Sequence, residues 1–366
     1  MKYNFFKKFI IGCILIVLTL IGTFSVSRAD IFKEYSILVD KMKVVAGDNL
    51  LVQDKNNLLV ITNASFASIN GNETVYVLDV ISDKLGCGIG RKNLLLLRSS
   101  PSQPLYMFFF NKEKKRAGYL ELSSKLDLKA LMNLKPEEIF LKAKFFDLPW
   151  EEIIKAPQGW EKRLKDNGLG FNEFKFVSVA LLWTLGLPQE VIKAIEIHDH
   201  LCPGVLSGYF VVKLILSELP PKEDSSYVWV ASPAWCKEDL ILSMLNTTPG
   251  KRNIFLFSIP EENKGKLKDK NAAGIIFQSS RKGDGGKGLV VGFNWEKLRA
   301  DAGVSAELPR WEGGLITATF MLRNAKDYQK YAYVIKKFEL GKGEKPSDYV
   351  DMGTNPWKKL GLWLED

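Results

Sequence analysis

Trp235-Cys-Lys-Glu-Asp239-Leu-Ile-Leu-Ser-Met-Leu245-Asn-Thr-Thr-Pro-Gly250-Lys-Arg-Asn253-Ile-Phe-Leu-Phe257 carries three successive signals. Trp235 to Leu245 reads as a helix, Asn246 to Asn253 as its turn-rich exit, and Ile254 to Phe257 as a short buried strand. Another strand lies just upstream, Tyr227 to Ala231. The same order occurs earlier in the chain: a strand at Leu58 to Thr62, a helix from Glu73 to Leu85, an exit at Gly86 to Asn93, and a strand at Leu94 to Leu97. At an offset of 160 residues Asp79 falls on Asp239, Leu85 on Leu245, Gly90 on Gly250 and Asn93 on Asn253. A hairpin follows each copy, Leu105 to Phe110 with Ala117 to Leu122, then Ala273 to Phe277 with Leu289 to Phe293, the second turning through Lys282 to Gly286. The pattern predicts an α+β fold in two similar halves, each a mixed or antiparallel sheet with helices on one face.

Working outward, residues 1–29 have the order of an export signal: Lys2, Lys7 and Lys8, an apolar core from Phe9 to Phe24, and Ser27-Arg28-Ala29 before Asp30. An uncleaved membrane anchor is the alternative, for which the core is short. The expected divisions are a signal peptide over 1–29, a first, degenerate half over 30–125, a helical connector over 126–190, a second half over 191–340, and a tail over 341–366. Residues 31–49 read as a helix, Leu315 to Arg323 as a strand and Tyr328 to Leu340 as a helix. Trp357, Leu360, Leu362 and Trp363 should dock the tail.

All of the chain's histidine stands in His198-Asp199-His200-Leu201-Cys202-Pro203-Gly204. In an extended segment residues 198, 200 and 202 project from one side, converging two imidazoles and a thiol. Nitrogen and sulfur donors within a small radius suit zinc or another divalent transition metal, with a free position if the site does chemistry. Pro203 suits the first position of a helix over the apolar run Val205 to Leu219. Cys202 would then sit at a helix N-terminus, where amides and dipole favour thiolate. Ordinary packing of two histidines and a small apolar thiol is the alternative reading.

Cys236 and Asp239 are three apart on one helix face, so Cys236 is a fourth soft ligand or a disulfide partner of Cys202, and Asp239 an outer carboxylate that orients an imidazole. Asp in a first helical turn also serves the dipole, and Asp79 holds the matching place in the half without histidine. The glycine loops lack the spacing of a phosphate-binding loop, so Gly90 and Gly250 are expected to end helices, while Lys251 and Asn253 remain candidates for contacting an anionic ligand.

The combination His198-x-His200-x-Cys202-Pro203-Gly204-Val-Leu-x-Gly208-Tyr209, Cys236-x-x-Asp239 and Thr248-x-Gly250-Lys251-x-Asn253 resembles the FmdE family, which takes its name from a component of formylmethanofuran dehydrogenase. The resemblance covers about residues 190 to 295 well and about 56 to 123 more weakly. It implies an α+β core, commonly dimeric, with His198, His200, Cys202 and Cys236 lining a metal or active site; two halves in one chain would imitate that dimer as an intramolecular pseudo-dimer. Thr247 replaces the family's cysteine in the helix exit, whereas Cys87 supplies one at the equivalent place in the first half and so becomes a second thiol available to complete the surroundings of the site.

Loss of Lys2, Lys7, Lys8 and Arg28 lowers the net charge from +9 to +5, and the remaining charges are mixed, so neither a nucleic-acid groove nor a membrane-binding face is expected. Cys87, Cys202 and Cys236 make an odd set beyond the signal, which argues against a disulfide scaffold. Three functions follow as expectations. The first is an exported, periplasmic or extracellular protein whose His198, His200, Cys202 and Cys236 hold a metal ion for binding or catalysis, with a small-molecule ligand and with His198, His200 and Cys202 as the reacting groups. The second is thiol redox chemistry on Cys202 and Cys236. The third is a carrier for a metallated cofactor.

Overall fold

The computed structural model describes residues 28–50, 52–280 and 285–365, so the expected export signal lies outside the described residues apart from its last two. A first helix, α1 (Arg28–Ala46), precedes the strand β1 (Leu58–Thr62), the helix α2 (Val77–Leu85) and the strands β2 (Leu94–Leu96), β3 (Tyr106–Asn111), β4 (Arg116–Leu122) and β5 (Phe140–Asp147). After two short helices, Trp150–Lys155 and Trp160–Asp166, come α3 (Phe171–Trp183), α4 (Gln189–His198) and α5 (Pro203–Glu218). The second sheet begins with β6 (Ser225–Ala231), α6 (Lys237–Leu245), β7 (Ile254–Leu256), β8 (Ala272–Ser280) and β9 (Gly286–Phe293), and ends, after the helix α7 (Arg310–Arg323), with β10 (Ala332–Leu340). The fold is α+β.

Both five-stranded sheets have one topology. In the first the order is β2-β1-β3-β4-β5, and in the second β7-β6-β8-β9-β10. Each begins with a parallel pair at one edge, β1 with β2 and β6 with β7, and continues antiparallel. A helix makes each parallel crossover, as a parallel pair requires. The helix bounds Val77–Leu85 and Lys237–Leu245 themselves differ by 160 residues at both ends.

Four readings of elements are corrected. Residues 73–76 do not join α2, because Asn72 and Glu73 pair with Ile69 and Ser68. The connector read as helical contains β5, whose Leu141, Lys142 and Ala143 face solvent at the sheet edge. Lysines on an edge strand block further pairing and resemble a solvated helix face in sequence. Leu315 to Arg323 is helical, part of α7; its β-branched Ile316, Thr317 and Thr319 mimic a strand, but the element runs 14 residues. Conversely Ala332–Leu340 is a strand, whose Val334 sits opposite Val291 of β9 and whose Ile335 falls at a register shift.

The layers stack in a defined order. On β1 the alternate residues Leu58 and Val60 face α1 and α2, and Leu59 and Ile61 face the middle of the molecule. There Phe176 of α3 packs 4.9 Å from the ring of Tyr106 and 5.5 Å from that of Phe108. The same central core takes in α4, α5, α6 and α7, together with Trp229, Ile276 and Val291 of the second sheet. Behind that sheet, Val228, Val230 and Phe277 are covered by Trp357 and Leu360 of the tail. The crossover helix α2 thus lies on an outer face, whereas its counterpart α6 lies in the middle. Two subunits related by a twofold meet through equivalent faces. Here the back of the first sheet meets, through helices, the front of the second.

Candidate metal centre

The middle layer holds the histidine motif, and its local geometry departs from the extended reading. His198 is the last residue of α4, and Asp199 turns the chain with a left-handed φ of 67° while its amide donates to Ile195 O at 2.8 Å. Aspartate tolerates that conformation better than most residues, and its carboxylate is held on both sides, by Lys175 Nζ at 3.0 Å and His200 Nδ1 at 3.0 Å. Cys202 is the extended residue that caps α5, with Pro203 at the first helical position.

Two glycines on one face of α5 bring the second thiol in. A Cβ on Gly204 would lie 2.8 Å from Cys236 Cβ, and one on Gly208 would lie 2.6 Å from the carbonyl oxygen of Lys237. Residues four apart share a helix face, so Gly204 and Gly208 together let the start of α6 press against the start of α5. Cys236 caps α6 as Cys202 caps α5. The turn before it is fastened by buried Lys237, which donates to Pro233 O at 2.6 Å and Glu238 Oε1 at 2.5 Å, while Trp229 Nε1 donates to the other oxygen of Glu238. No sequence signal marked this pair; two adjacent opposite charges usually lie on a surface.

His198, Cys202 and Cys236 each place a ligand atom within 4.8 Å of the other two. His198 Nδ1 lies 2.7 Å from Asp239 Oδ2, and His198 Nε2 is buried with no hydrogen-bond partner. A tetrahedral zinc with sulfur at about 2.3 Å and nitrogen at about 2.0 Å separates its donors by roughly 3.6–3.8 Å. The three donors therefore fit one ion after slight contraction, with the Nδ1–H to carboxylate bond that selects the Nε2 tautomer for ligation.

The electrostatics assign protons differently from the sequence reading. The neighbouring thiol of Cys202 and the imidazolium of His198 outweigh burial to hold the Cys236 thiol well below its ordinary range. Cys202, beside that sulfur and buried, is pushed far up despite the amides of Val205 and Gly204. The expected thiolate at Cys202 is thus on Cys236 instead. Two adjacent thiols cannot both ionise cheaply, and the one beside the imidazolium does so. Burial lowers the His198 pKa, but the hydrogen bond to Asp239 and the sulfur of Cys236 beside the ring prevail and raise it from 6.5 to about 9. Asp199 is pulled up by burial and, more strongly overall, down by its bonds to His200 and Lys175.

Other sequence candidates fall elsewhere. The ring centroid of His200 is 4.4 Å from that of His198, yet His200 is outside the three-donor group and its Nδ1 is engaged by Asp199. Cys87 is buried in the outer core beside α1 and α2, its sulfur donating to Leu58 O at 3.6 Å, and does not join the cluster. Lys251 is exposed in the turn after α6 with its ammonium on Asn246 Oδ1, and Asn253 O accepts from Trp229 N at 2.8 Å. Helix termination is carried out by Gly86 at φ 71° and Asn246 at φ 56°, one turn before Gly90 and Gly250. At the position of Cys236 the first half has Tyr76, which caps α2.

Residues 197–308 match the family model described as FmdE, Molybdenum formylmethanofuran dehydrogenase operon. A protein of Arabidopsis thaliana named F-box/LRR-repeat protein 23 is 36% identical over 107 residues, 29% of this chain. The chain spans 23% of the length of that relative. Among the described residues no helix is long and apolar enough to cross a membrane.

Proposed function

We propose that this is an exported metal-binding protein that holds one divalent transition metal ion, zinc first, through His198 Nε2, Cys202 Sγ and Cys236 Sγ. The observation that carries the reading is His198 Nε2, buried without a partner beside two free thiols while Nδ1 is anchored on Asp239. A buried polar atom without a partner is costly, and an ion at that point satisfies it. Histidine with two thiolates is a donor set that leaves a tetrahedral ion one open position, where a bound water becomes acidic enough for hydrolysis near neutral pH. The ring of His200 lies 4.4 Å from that of His198, beside the three donors. The matched segment over residues 197–308 and the common topology of the two sheets support tandem FmdE-like halves divided near residues 30, 126, 191 and 341, of which only the second carries the ligands. The export half of the proposal rests on residues 1–29 and is tested by the N-terminus of the protein recovered from its source, expected at Asp30.

Metal analysis of the purified protein tests the site. One equivalent of zinc in the wild type, lost in His198→Ala and in Cys202→Ser with Cys236→Ser, is the expected result; equal metal in all three refutes the reading.

The free, adjacent thiols support a second reading, reversible formation of a 202–236 disulfide. Alkylation and mass measurement separate the two: a reversible disulfide in protein without metal favours redox chemistry, and two thiols protected only by metal exclude it. A coloured cofactor copurifying with the protein would mark it instead as a carrier.

A further inference from the structure

We propose that the first half serves the metal centre as a clamp, and that Glu196 is the positioning residue through which it acts. The inference rests on the metal-binding reading above and assigns a task to the half that lacks the ligand set.

β2 is the edge strand of the first sheet, and its backbone donors alternate in direction. Leu97 N donates inward to Thr62 O of β1 at 2.8 Å. Leu96 N and Arg98 N point the other way, where an edge strand has no partner strand. Glu196 takes both: its backbone carbonyl accepts from Arg98 N at 2.9 Å, and its Oε1 accepts from Leu96 N at 3.4 Å. Its other oxygen accepts from Lys193 Nζ at 2.6 Å, which fixes the carboxylate on its own helix.

Glu196 lies in the last turn of α4, two residues before His198. A helical turn is stiff, so pinning Glu196 to the edge of the sheet sets where the imidazole ends. A further tie joins the first half to the middle layer: Trp183 Nε1, at the end of α3, donates to Lys92 O at 2.7 Å. At the corresponding edge of the second sheet Leu256, matching Leu96, is 70% exposed.

The test uses the whole protein, with zinc affinity from competition against a chromophoric chelator and with cobalt(II) absorption as the signature of ligand geometry. Glu196→Ala is expected to weaken zinc binding by about tenfold or more, in the range of outer-sphere partners of metal ligands, and to shift the cobalt bands. Glu196→Gln keeps an acceptor for Leu96 N and restores both readouts. Should the alanine variant not fold, Glu196→Asp, which withdraws the carboxylate by one methylene, takes its place with the same expected loss. Glu113→Ala is the control for general loosening, because Glu113 likewise accepts two backbone amides, Gln53 N and Asp54 N at 3.0 Å each, in the hairpin turn of the first half. Wild-type affinity and spectrum in Glu196→Ala, or an equal loss in Glu113→Ala, overturns the inference alone. A wild type that binds no metal overturns the metal-binding reading and this inference with it.

Discussion

His198 is asked to be two things, an imidazolium in the metal-free protein and a neutral ligand in the loaded one. With its pKa raised to about 9, and with Cys202 pushed up while Cys236 is held down, the free site at neutral pH carries protons on His198 and Cys202 and none on Cys236. Loading a divalent ion near pH 7 should therefore release about two protons, measurable in weakly buffered solution, and the apparent affinity should rise with pH. The sign for the fold is opposite. A folded-state pKa above the ordinary 6.5 stabilises the metal-free protein fully below that value, and the contribution is lost as pH rises through about 9. The thiol of Cys236, held below its ordinary range, works the other way over the same window, so the denaturation midpoint of the metal-free protein should stay nearly flat there. Asp239→Asn removes the carboxylate that holds His198 Nδ1 and should weaken zinc binding by about 10–100-fold in a competition titration. A change under twofold would mean that Asp239 serves only the helix dipole.

The contact of α5 with α6 decides whether two cysteines far apart in sequence become neighbours. It depends on Gly204 and Gly208, and at Gly208 the obstructing atom is a backbone carbonyl that cannot rotate away. Gly208→Ala should thus force the helices apart, with a stability loss of about 1–3 kcal/mol by chemical denaturation and a weakened metal site. An unchanged midpoint would show that the helices have room to slide. The motif Pro203-Gly204-x-x-x-Gly208 was visible in sequence, as were Cys236 and Asp239 on one face of a helix. Less legible was the ending of α4: His198 has no helix breaker after it, and only Lys175 and His200 closing on Asp199 show why the chain turns there. The swapped assignments of α7 and β10 have a related cause. Ile316, Thr317 and Thr319 have strand propensity, but their helix packs Leu315, Ala318 and Met321 on the central core and buries Thr317 and Thr319, and tertiary packing overrides such preferences.

In the whole molecule the site lies in the middle layer, between the back of the first sheet and the front of the second, with its three donors half-buried. Each outer face has its own cover, α1 and α2 on one side and the C-terminal tail on the other. Trp357 is the main anchor of that tail, 1% exposed and donating from Nε1 to Ser232 Oγ at 2.9 Å. Trp357→Ala should cost about 3–5 kcal/mol, read as a lowered denaturation midpoint. A loss below 1 kcal/mol would mean that the tail docks without supporting the sheet.

Local patterning determined the α+β class, the two strand–helix–strand units at a constant offset, and the residues able to bind metal, because periodicity and donor chemistry are properties of neighbours along the chain. Which donors meet was decided by tertiary structure. Cys236 joins His198 and Cys202 through a glycine face, His200 is drawn aside by Asp199, and Cys87 stays in another core. The proton distribution followed from the same packing, since the thiol that ionises is the one placed beside an imidazolium. So did the front-to-back order of the sheets: similar halves expose similar faces, and the helices between them select which two are buried together.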